Sequence, residues 1–266
     1  MTGPGPDAAR SVTDFVRAGL TEVEPAGSGR LVGRAPVAPH LRSAGGGMRT
    51  GALLTAVDFA GGFAGGLAAL PEGWVVTTSL HARLLDVVHT GPLRLEAEVA
   101  RAGRTSVVTP VTVHDEGAAD AVVARAIVTS AVLVPAGGPP RWDRPARIEP
   151  APAPDGLPDL DTWLGARRGP DGTTEIALED RLRNPWGILH GGVVAMLVDT
   201  ATERTTGGIT TDVVLHYLAP NRTGPVRAAV RPVAVRSDGT VCRTEVSDTA
   251  ADRVTAIAVT TSAPSR

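Results

Sequence analysis

The residues whose types and spacing best suit chemistry lie between Asn184 and Asp199, in the stretch NPWGILHGGVVAMLVD. Pro185 and Gly187 keep the entry to this stretch non-helical, because proline removes a backbone donor and glycine tolerates positive φ. The apolar run that follows predicts a buried helix starting near Gly191. The first N–H groups of such a helix have no intrahelical acceptor and lie at the positive end of its dipole, so they can bind an anion or an oxyanion.

The spacing of the carboxylate argues for a second copy of this segment. Asp199 lies eight residues beyond Gly191, which corresponds to roughly 12 Å along a helix axis. A single carbonyl group cannot contact the Gly191 amide and Asp199 at the same time. If both groups serve catalysis, each must act with its counterpart from another copy of the same unit.

The chain contains such a copy, which is a strong indication of a tandem duplication. The sequences at 119–131 and 251–263 share eight identities in thirteen positions. Shorter matches occur in the same order along both halves: TGPLR (90–94) with TGPVR (223–227), Thr77-Thr78 with Thr210-Thr211, and Leu41-Arg42-Ser43 with Leu182-Arg183-Asn184.

The duplication predicts two repeats joined by a linker. Residues 134–156 contain seven prolines, and such a segment forms neither a helix nor a central strand. We therefore place the first repeat at 1–136, a proline-rich linker at 137–157 and the second repeat at 158–266.

Each repeat has the same predicted order of elements. A short helical pattern (12–20 or 160–168) precedes a strand, and a long apolar helix follows (52–70 or 193–204). Four Val-, Thr- and Ile-rich strands come next. One long helix and about five strands in ~130 residues predict an α+β fold in which the sheet wraps over the helix.

The two long helices differ in their predicted length and composition. Nineteen residues separate Asp58 from Thr77, but only eleven separate Asp199 from Thr210, which predicts a second helix about two turns shorter. The glycine pairs at 61–62 and 65–66 are expected to allow close packing of the first helix; a ligand channel is the alternative.

The second repeat resembles the PaaI-like branch of the hot-dog acyl-CoA thioesterases. In that family an Asn precedes a His-Gly-Gly by six residues, and an acidic residue follows the His by nine, as at Asn184, His190 and Asp199. The resemblance covers roughly residues 172–262, including the strand with Tyr217, Pro220 and Gly224. It implies two hot-dog units, each an antiparallel sheet around a central helix, that form an intramolecular pseudo-dimer.

The first repeat departs from the family pattern at its turn. When Asp58 is aligned with Asp199, Met48-Arg49-Thr50-Gly51 takes the place of Leu189-His190-Gly191-Gly192, and Ser43 takes the place of Asn184. The carboxylate of the motif is therefore present in the first repeat, whereas the His-Gly of the turn is replaced.

The resemblance implies one active site composed of residues from both repeats. The amide of Gly191 would polarise the thioester carbonyl, and Asp58 would act as general base or nucleophile. Supporting roles are implied for further residues: Asn184, which would hold the water or thioester, His190 and Gly192, which would form the glycine turn, and Thr77 or Thr78, whose hydroxyl would assist.

The opposite combination forms a second, pseudo-symmetric site. It contains Asp199 and Thr210 with Arg49, Thr50 and Gly51, and an Arg49–Asp199 ion pair would make it inactive or structural. Three arginines near turns, Arg104, Arg222 and Arg236, are weak candidates for contacts with a CoA phosphate.

The composition of the chain argues against several classes of partner, cofactor and metal site. The net charge of −2 favours neither nucleic acid nor a membrane surface as a partner. All 26 basic residues are arginine, which excludes Schiff-base chemistry, and the scattered histidines predict no metal site. The single cysteine, Cys242, and the absence of an apolar leader are expected of a cytoplasmic protein. No cofactor is expected beyond the coenzyme A of the substrate.

Three functions remain open from the sequence. The first is hydrolysis of an acyl-CoA or acyl-carrier-protein thioester. The second is a non-catalytic acyl-thioester-binding protein, suggested by the altered turn of one repeat and the shorter helix of the other. The third is a hot-dog hydratase or dehydratase, which Asn184-Pro185 and His190 faintly resemble. A homodimer of double hot-dogs is a further expectation.

Overall fold

The computed structural model describes residues 11–23, 28–134, 136–139, 148 and 156–264. The helices are α1 (Val12–Val16), α2 (Thr50–Ala69), α3 (Leu160–Leu164) and α4 (Gly191–Thr206). The strands are β1 (Gly19–Val23), β2 (Arg30–Ala35), β3 (Trp74–Leu84), β4 (Leu93–Glu98), β5 (Arg101–Ala102), β6 (Ser106–Asp115), β7 (Ala121–Leu133), β8 (Arg167–Arg168), β9 (Thr174–Ile176), β10 (Ile209–Tyr217), β11 (Val226–Arg236), β12 (Gly239–Asp248) and β13 (Arg253–Ala263).

The chain forms two compact units that do not follow the repeat boundaries. Unit A comprises the described parts of Met1–Val16, Ala38–Thr55 and Ala153–Arg266, and unit B comprises those of Arg17–Val37 and Ala56–Pro152. The first turns of α2 thus cluster with the second repeat. The repeat boundaries stay a prediction, and the proline-rich linker at 137–157 falls largely outside the described residues.

The sheets of the two units have the same antiparallel topology. In unit B the strand order is β1-β2-β4-β6-β7-β3, with β5 beside β6, and in unit A it is β8-β9-β11-β12-β13-β10. In unit A, α4 packs against strands β9 to β13, and every residue of α4 from Gly192 to Thr202 is buried. An antiparallel sheet around a central helix is the hot-dog fold, so the predicted α+β class with two hot-dog units is confirmed.

The short first helix of each repeat is shorter than predicted. Helix α1 ends at Val16 and α3 ends at Leu164, and the residues predicted as their last turns belong to β1 and β8. A residue with positive φ ends each helix, Arg17 at +57° and Gly165 at +64°. A left-handed residue at this position satisfies the last carbonyls and redirects the chain.

The predicted difference of two turns between the long helices is wrong. Helix α2 has 20 residues and α4 has 16, a difference of about one turn. The other residues missing from the second repeat come from the connection to the next strand and from the start of that strand. Gly207, at φ +69°, caps α4 directly before β10.

Close packing of α2 in unit B depends on two of its glycines. A Cβ at Gly61 would lie 2.6 Å from the Val128 side chain, and one at Gly66 would lie 2.6 Å from the Trp74 ring. Both distances are too short for real contacts, so larger side chains would push the sheet away. The expectation of close packing is confirmed. Helix α2 is long and apolar enough to span a membrane, but 72% of it is buried inside the protein.

The repeated Thr-Gly-Pro segment has a structural explanation. In unit A the Asp248 carboxylate accepts the backbone N–H groups of Arg222, Thr223 and Gly224 at 2.8–2.9 Å. In unit B, Asp115 accepts the N–H of Gly91 at 2.7 Å. Each aspartate ends its strand and fixes the loop that precedes the neighbouring strand.

We predict that Asp248→Asn destabilises the protein by about 1–3 kcal/mol, the range for a buried charged hydrogen-bonding group. Burial opposes ionisation of this carboxyl, but the three amides and a fourth from Ala251 outweigh it and lower the pKa of Asp248. A depressed pKa contributes stability above the unfolded-state pKa and loses it as the pH falls. Chemical denaturation should therefore show the variant approaching wild type below about pH 4.

The exposed Asp238→Asn variant is the matched control, because Asp238 is 72% exposed and pairs only with Arg236 in the described part of the chain. Equal unfolding free energies for the Asp248 and Asp238 variants at neutral pH would contradict the prediction.

Candidate functional site

The turn that leads into α4 is organised by Asn184. Its Oδ1 atom accepts the backbone N–H groups of Trp186 at 3.0 Å and Ile188 at 3.4 Å. Gly187 adopts φ +71°, a conformation that glycine reaches without steric cost. The side-chain oxygen of Asn184 is therefore used by the turn itself, and its amide group is the part that could meet a ligand.

The corresponding turn of the first repeat has the same backbone without the same side chain. Ser43 N–H donates to Gly47 O at 2.8 Å, as Asn184 N–H donates to Ile188 O at 2.8 Å. Gly46 adopts φ +82°, like Gly187. Duplication has kept the conformation of the turn and removed the carboxamide.

His190 caps helix α4. Its backbone is extended (φ −63°, ψ 139°), and its Nδ1 atom accepts the N–H of Gly192 at 3.0 Å. An accepting Nδ1 carries no proton, so we assign the neutral tautomer with the proton on Nε2. The expected role of His190 in orienting the glycine turn thus has a defined contact: the ring holds the second glycine amide.

One backbone N–H group of this turn, that of Gly191, has no acceptor among the described residues. His190 N–H donates to Leu182 O, and His190 O accepts from Val193 and Val194. The carbonyl of Gly191 accepts the Tyr217 hydroxyl at 2.9 Å, and the carbonyl of Gly192 lies 3.0 Å from the Thr55 hydroxyl. Among the described residues, no acceptor faces the N–H of Gly191. The positive end of a 16-residue helix therefore presents this amide.

Asp58 and Thr77 lie together in unit B. Asp58 is 6% exposed, and its Oδ1 atom accepts the Thr77 hydroxyl at 2.8 Å. The neighbouring hydroxyl of Thr78 lies 3.1 Å from the Thr129 carbonyl. Of the two threonines considered from the sequence, Thr77 is the one that contacts the carboxylate.

A β-bulge explains why two threonines stand together in both repeats. The register of β3 against β7 shifts between Thr77 and Ser79, and that of β10 against β13 shifts between Thr210 and Asp212. The extra residue of a bulge leaves the regular ladder and changes the direction of its neighbours. The hydroxyls of both extra residues, Thr78 and Thr211, bond to carbonyls across the strand pair.

The carboxylate of the second repeat has different partners. Asp199 is fully buried in unit A, and its Oδ2 atom accepts the N–H of Gly51 at 2.9 Å and lies 3.3 Å from Arg49 Nε. Thr50 donates its hydroxyl to the Thr210 carbonyl at 2.6 Å. Neither Asp199 Oδ1 nor Thr210 Oγ1 has a hydrogen-bond partner among the described residues. The five residues of the pseudo-symmetric site thus lie together.

Arg49 joins three carboxylates rather than one. Its guanidinium lies 3.0 Å from Glu203, 3.1 Å from Asp161 and 3.3 Å from Asp199. It also donates to the Thr200 hydroxyl at 3.0 Å. A second cation, Arg204, pairs with Asp161 at 2.9 Å. The cluster therefore holds three acidic and two basic groups.

The excess of acid in this cluster affects the protonation of Glu203. Burial and the nearby charge of Asp199 raise the pKa of Glu203 to about 8, although Arg49 opposes the shift. For Arg49, burial disfavours the charge, but the three carboxylates outweigh it and raise the pKa of the guanidinium. Burial and the neighbouring carboxylates therefore favour the protonated form of Glu203.

The two retained glycines are required by packing. A Cβ at Gly51 would lie 2.7 Å from the Cα atom of Met196, and one at Gly192 would lie 2.6 Å from the Thr55 side chain. The first turns of α2 and α4 thus touch through these glycines. This requirement explains why Gly51 persists in the first repeat although the residue before it, Thr50, is no longer glycine.

Two of the three weak phosphate candidates, Arg222 and Arg236, lie far apart within unit A. Arg222 precedes β11 and Arg236 ends it, so about 33 Å of extended strand lies between them. Arg236 pairs with Asp238 at 3.1 Å, and Arg104 belongs to unit B. Nothing in the geometry of unit A favours a shared phosphate contact for Arg222 and Arg236.

Four residues that contact the two turns or the Arg49 cluster are not predicted by the sequence motif. They are Thr55, Asp161, Glu203 and Tyr217. Thr55, Asp161 and Glu203 lie outside the motif. Their spacing to the turn residues is set by tertiary contacts, although the acidic Glu203 four residues after Asp199 was a detectable signal of a shared cation.

We predict that wild type loses stability as the pH rises because of Glu203, and that Glu203→Gln does not show this loss. A raised pKa contributes stability below the unfolded-state pKa and loses it as the pH rises towards the folded-state pKa. Relative to the variant, wild type should weaken between about pH 4.5 and 8, with a slope of at most about 1.4 kcal/mol per pH unit. Unfolding free energies measured by denaturant titration across this range test the slope.

Glu245→Gln is the control, because Glu245 is 43% exposed beside Arg243 and should leave the pH dependence of wild type unchanged. Parallel stability curves for wild type and the Glu203 variant would contradict the protonation assigned to the cluster.

Comparison with known proteins gives one family match. A family model described as the thioesterase superfamily matches residues 45–122, a segment that contains Asp58 and Thr77. The match falls on the first repeat, whereas the sequence motif is more complete in the second. No sequence among curated proteins matches the chain.

Solved structures share the fold along most of the chain. A Lactobacillus plantarum protein described as an oleoyl thioesterase matches with a TM-score of 0.63 at 11% identity, covering 90% of this chain and 98% of its own. The 12:0-ACP thioesterase from Umbellularia californica gives 0.62 at 9% identity, covering 88% and 93%. An acyl-ACP thioesterase from Bacteroides thetaiotaomicron gives 0.58 at 12% identity, covering 88% and 97%.

These identities are low, so the solved structures establish the architecture, while the family model adds the sequence relationship of the first repeat. With two sheets of the same topology, each with its own central helix, this chain has a tandem hot-dog fold, and residues 45–122 match the model of the thioesterase superfamily.

Proposed function

We propose that the protein hydrolyses an acyl thioester, carried by coenzyme A or by an acyl carrier protein, in the cytoplasm. The observation that carries the proposal is the N–H of Gly191 at the N-terminus of α4, which has no acceptor among the described residues, whereas the Gly192 N–H and the carbonyls of His190 and Gly191 are paired. Such a donor, fixed before the reaction, stabilises the oxyanion of a tetrahedral intermediate. One donor of this kind typically contributes about 2.7–4 kcal/mol.

We further propose that Asp58 is the acid that acts with Gly191. The two residues belong to different units, so their approach is part of the proposal. Its support is the reciprocal relation inside unit A, where Asp199 lies on the N–H of Gly51. Because Asp58 and Asp199 occupy equivalent positions in the two repeats, and Gly51 is equivalent to Gly192, the same relation applied to the second turn would bring Asp58 to the amide of Gly192, next to that of Gly191.

Asp58 could promote thioester hydrolysis by either of two routes. As a general base, it takes a proton from water while the water oxygen attacks the thioester carbon. As a nucleophile, it attacks that carbon itself, forms a mixed anhydride, and is released by water. In both routes the C–S bond breaks, and the departing thiolate takes up a proton. Thr77 holds one carboxylate oxygen through its 2.8 Å bond.

The amide of Asn184 would contact the substrate or the attacking water from the same turn. The Asp199 site is proposed to be structural, because its carboxylate already occupies the Gly51 amide and is paired with Arg49. No cofactor is needed for either route. Arg104, Arg222 and Arg236 stay weak candidates for contact with the carrier of the acyl group, and a homodimer stays an expectation.

We predict that Asp58→Asn lowers kcat by about 10²–10⁴-fold, the usual contribution of an acid–base group, while Asp199→Asn retains turnover. The assay is thiol release, followed with a chromogenic thiol reagent, from short-, medium- and long-chain acyl-CoAs and phenylacetyl-CoA. Asp238→Asn serves as an exposed carboxylate control. Thermal unfolding of each variant separates lost chemistry from lost folding, because Asp199→Asn should also destabilise unit A.

Turnover that survives in Asp58→Asn and disappears in a folded Asp199→Asn would assign the chemistry to the other site. Binding of acyl-CoAs by wild type without thiol release would favour the acyl-binding protein. Addition of water to an enoyl-CoA would identify a hydratase.

A further inference from the structure

Two hydroxyl groups from outside the motif hold the carbonyls of the His-Gly-Gly turn. Tyr217, the last residue of β10, donates to Gly191 O at 2.9 Å. The buried Thr55 hydroxyl, on α2, lies 3.0 Å from Gly192 O and 2.8 Å from Gly51 O. Both carbonyls belong to the first turn of α4.

These contacts fix a segment that glycine would otherwise leave loose. Two successive glycines have no Cβ to restrict φ and ψ. The peptide plane between Gly191 and Gly192 is held at its carbonyl by Tyr217 and at its N–H by His190 Nδ1. The neighbouring plane, which carries the free Gly191 N–H, is held at its carbonyl by Val193 and Val194. The direction of the free amide is therefore set by these surrounding bonds.

Thr55 adds a connection to the proposed acid. It lies three residues before Asp58 on α2, which is about one helical turn. A Cβ at Gly192 would lie 2.6 Å from the methyl group of Thr55. One side chain thus contacts the turn that presents Gly191 and belongs to the helix that carries Asp58.

The pseudo-symmetric turn lacks the tyrosine hydroxyl. With Thr77 aligned to Thr210, the equivalent of Tyr217 is Leu84, which has no hydroxyl. The Thr55 hydroxyl lies near a carbonyl of each turn, Gly51 O at 2.8 Å and Gly192 O at 3.0 Å. Tyr217 is therefore specific to the turn that presents Gly191, and Thr55 joins the two turns.

We propose that Thr55 and Tyr217 are positioning residues that hold the Gly191 amide in the direction required by a tetrahedral oxyanion. The inference rests on the proposed function, since it concerns the same site. Both residues act through the backbone of the turn, without contact to the reacting atoms. Their effect should therefore be larger on the transition state than on the bound substrate.

The test compares Thr55→Val and Tyr217→Phe with wild type and with Thr55→Ser, which keeps the hydroxyl. Since loss of a complete oxyanion donor costs about 10²–10³-fold in kcat, a misdirected donor should cost about tenfold, with KM changed less than twofold. Affinity for a trifluoromethyl ketone analogue of acyl-CoA, whose tetrahedral adduct mimics the oxyanion, should fall by the same factor. Affinity for a non-hydrolysable thioether analogue should not change, and Thr55→Ser should recover most of the activity.

Thr244→Val is the matched control. Thr244 is fully buried on β12, and its hydroxyl has no partner among the described residues, so the variant should behave as wild type. Unchanged kcat and analogue affinity in both Thr55→Val and Tyr217→Phe would overturn the positioning role, as would a loss of affinity for both analogues alike.

A failure of the proposed function is distinguishable from a failure of this inference. If wild type releases no thiol, the proposed function falls, and the positioning role is decided by the amide resonance of Gly191 in ¹H–¹⁵N spectra. A shift of this resonance in Tyr217→Phe and Thr55→Val, absent in Thr244→Val, supports positioning. An unmoved resonance overturns it, and Tyr217→Phe alone decides if Thr55→Val fails to fold.

Discussion

The contact between the first two turns of α2 and those of α4 is the constraint that positions both glycine-containing turns of unit A. Gly51 meets the backbone of Met196, and Gly192 meets the side chain of Thr55, at distances that leave no room for a Cβ. Two helix N-termini can approach this closely only through glycine, because every other residue adds volume at the contact. The contact explains why unit A includes the turn and first helical residues of the first repeat.

Around this contact the two repeats share their backbone conformation but differ in the side chains of the turn. Both have the same turn with a left-handed glycine, the same β-bulge at a threonine pair, and the same aspartate that holds a Thr-Gly-Pro loop. At equivalent positions the Gly192 N–H donates to His190 Nδ1 and the Gly51 N–H donates to Asp199. A buried carboxylate is costly without partners, and Arg49 with the Gly51 amide supplies them.

The sequence predicted the architecture well because its signals were local or repeated. Tandem matches, strand composition and the apolar helices indicated two α+β units, and the start of α4 at Gly191 follows from the turn residues before it. The errors were local as well. The first helices end early because Arg17 and Gly165 adopt left-handed conformations, and the lost length of the second repeat is divided among helix, connection and strand.

Residue spacing along helices and strands follows fixed geometry, so the fold class and the duplication could be inferred from the sequence. The partners of each polar group became visible in the folded chain. Arg49 contacts Asp199, 150 positions away, and also Asp161 and Glu203, while Tyr217 and Thr55 reach the glycine turn from different elements. Such partners depend on how the helices and the sheet pack, and no local pattern in the chain encodes that packing.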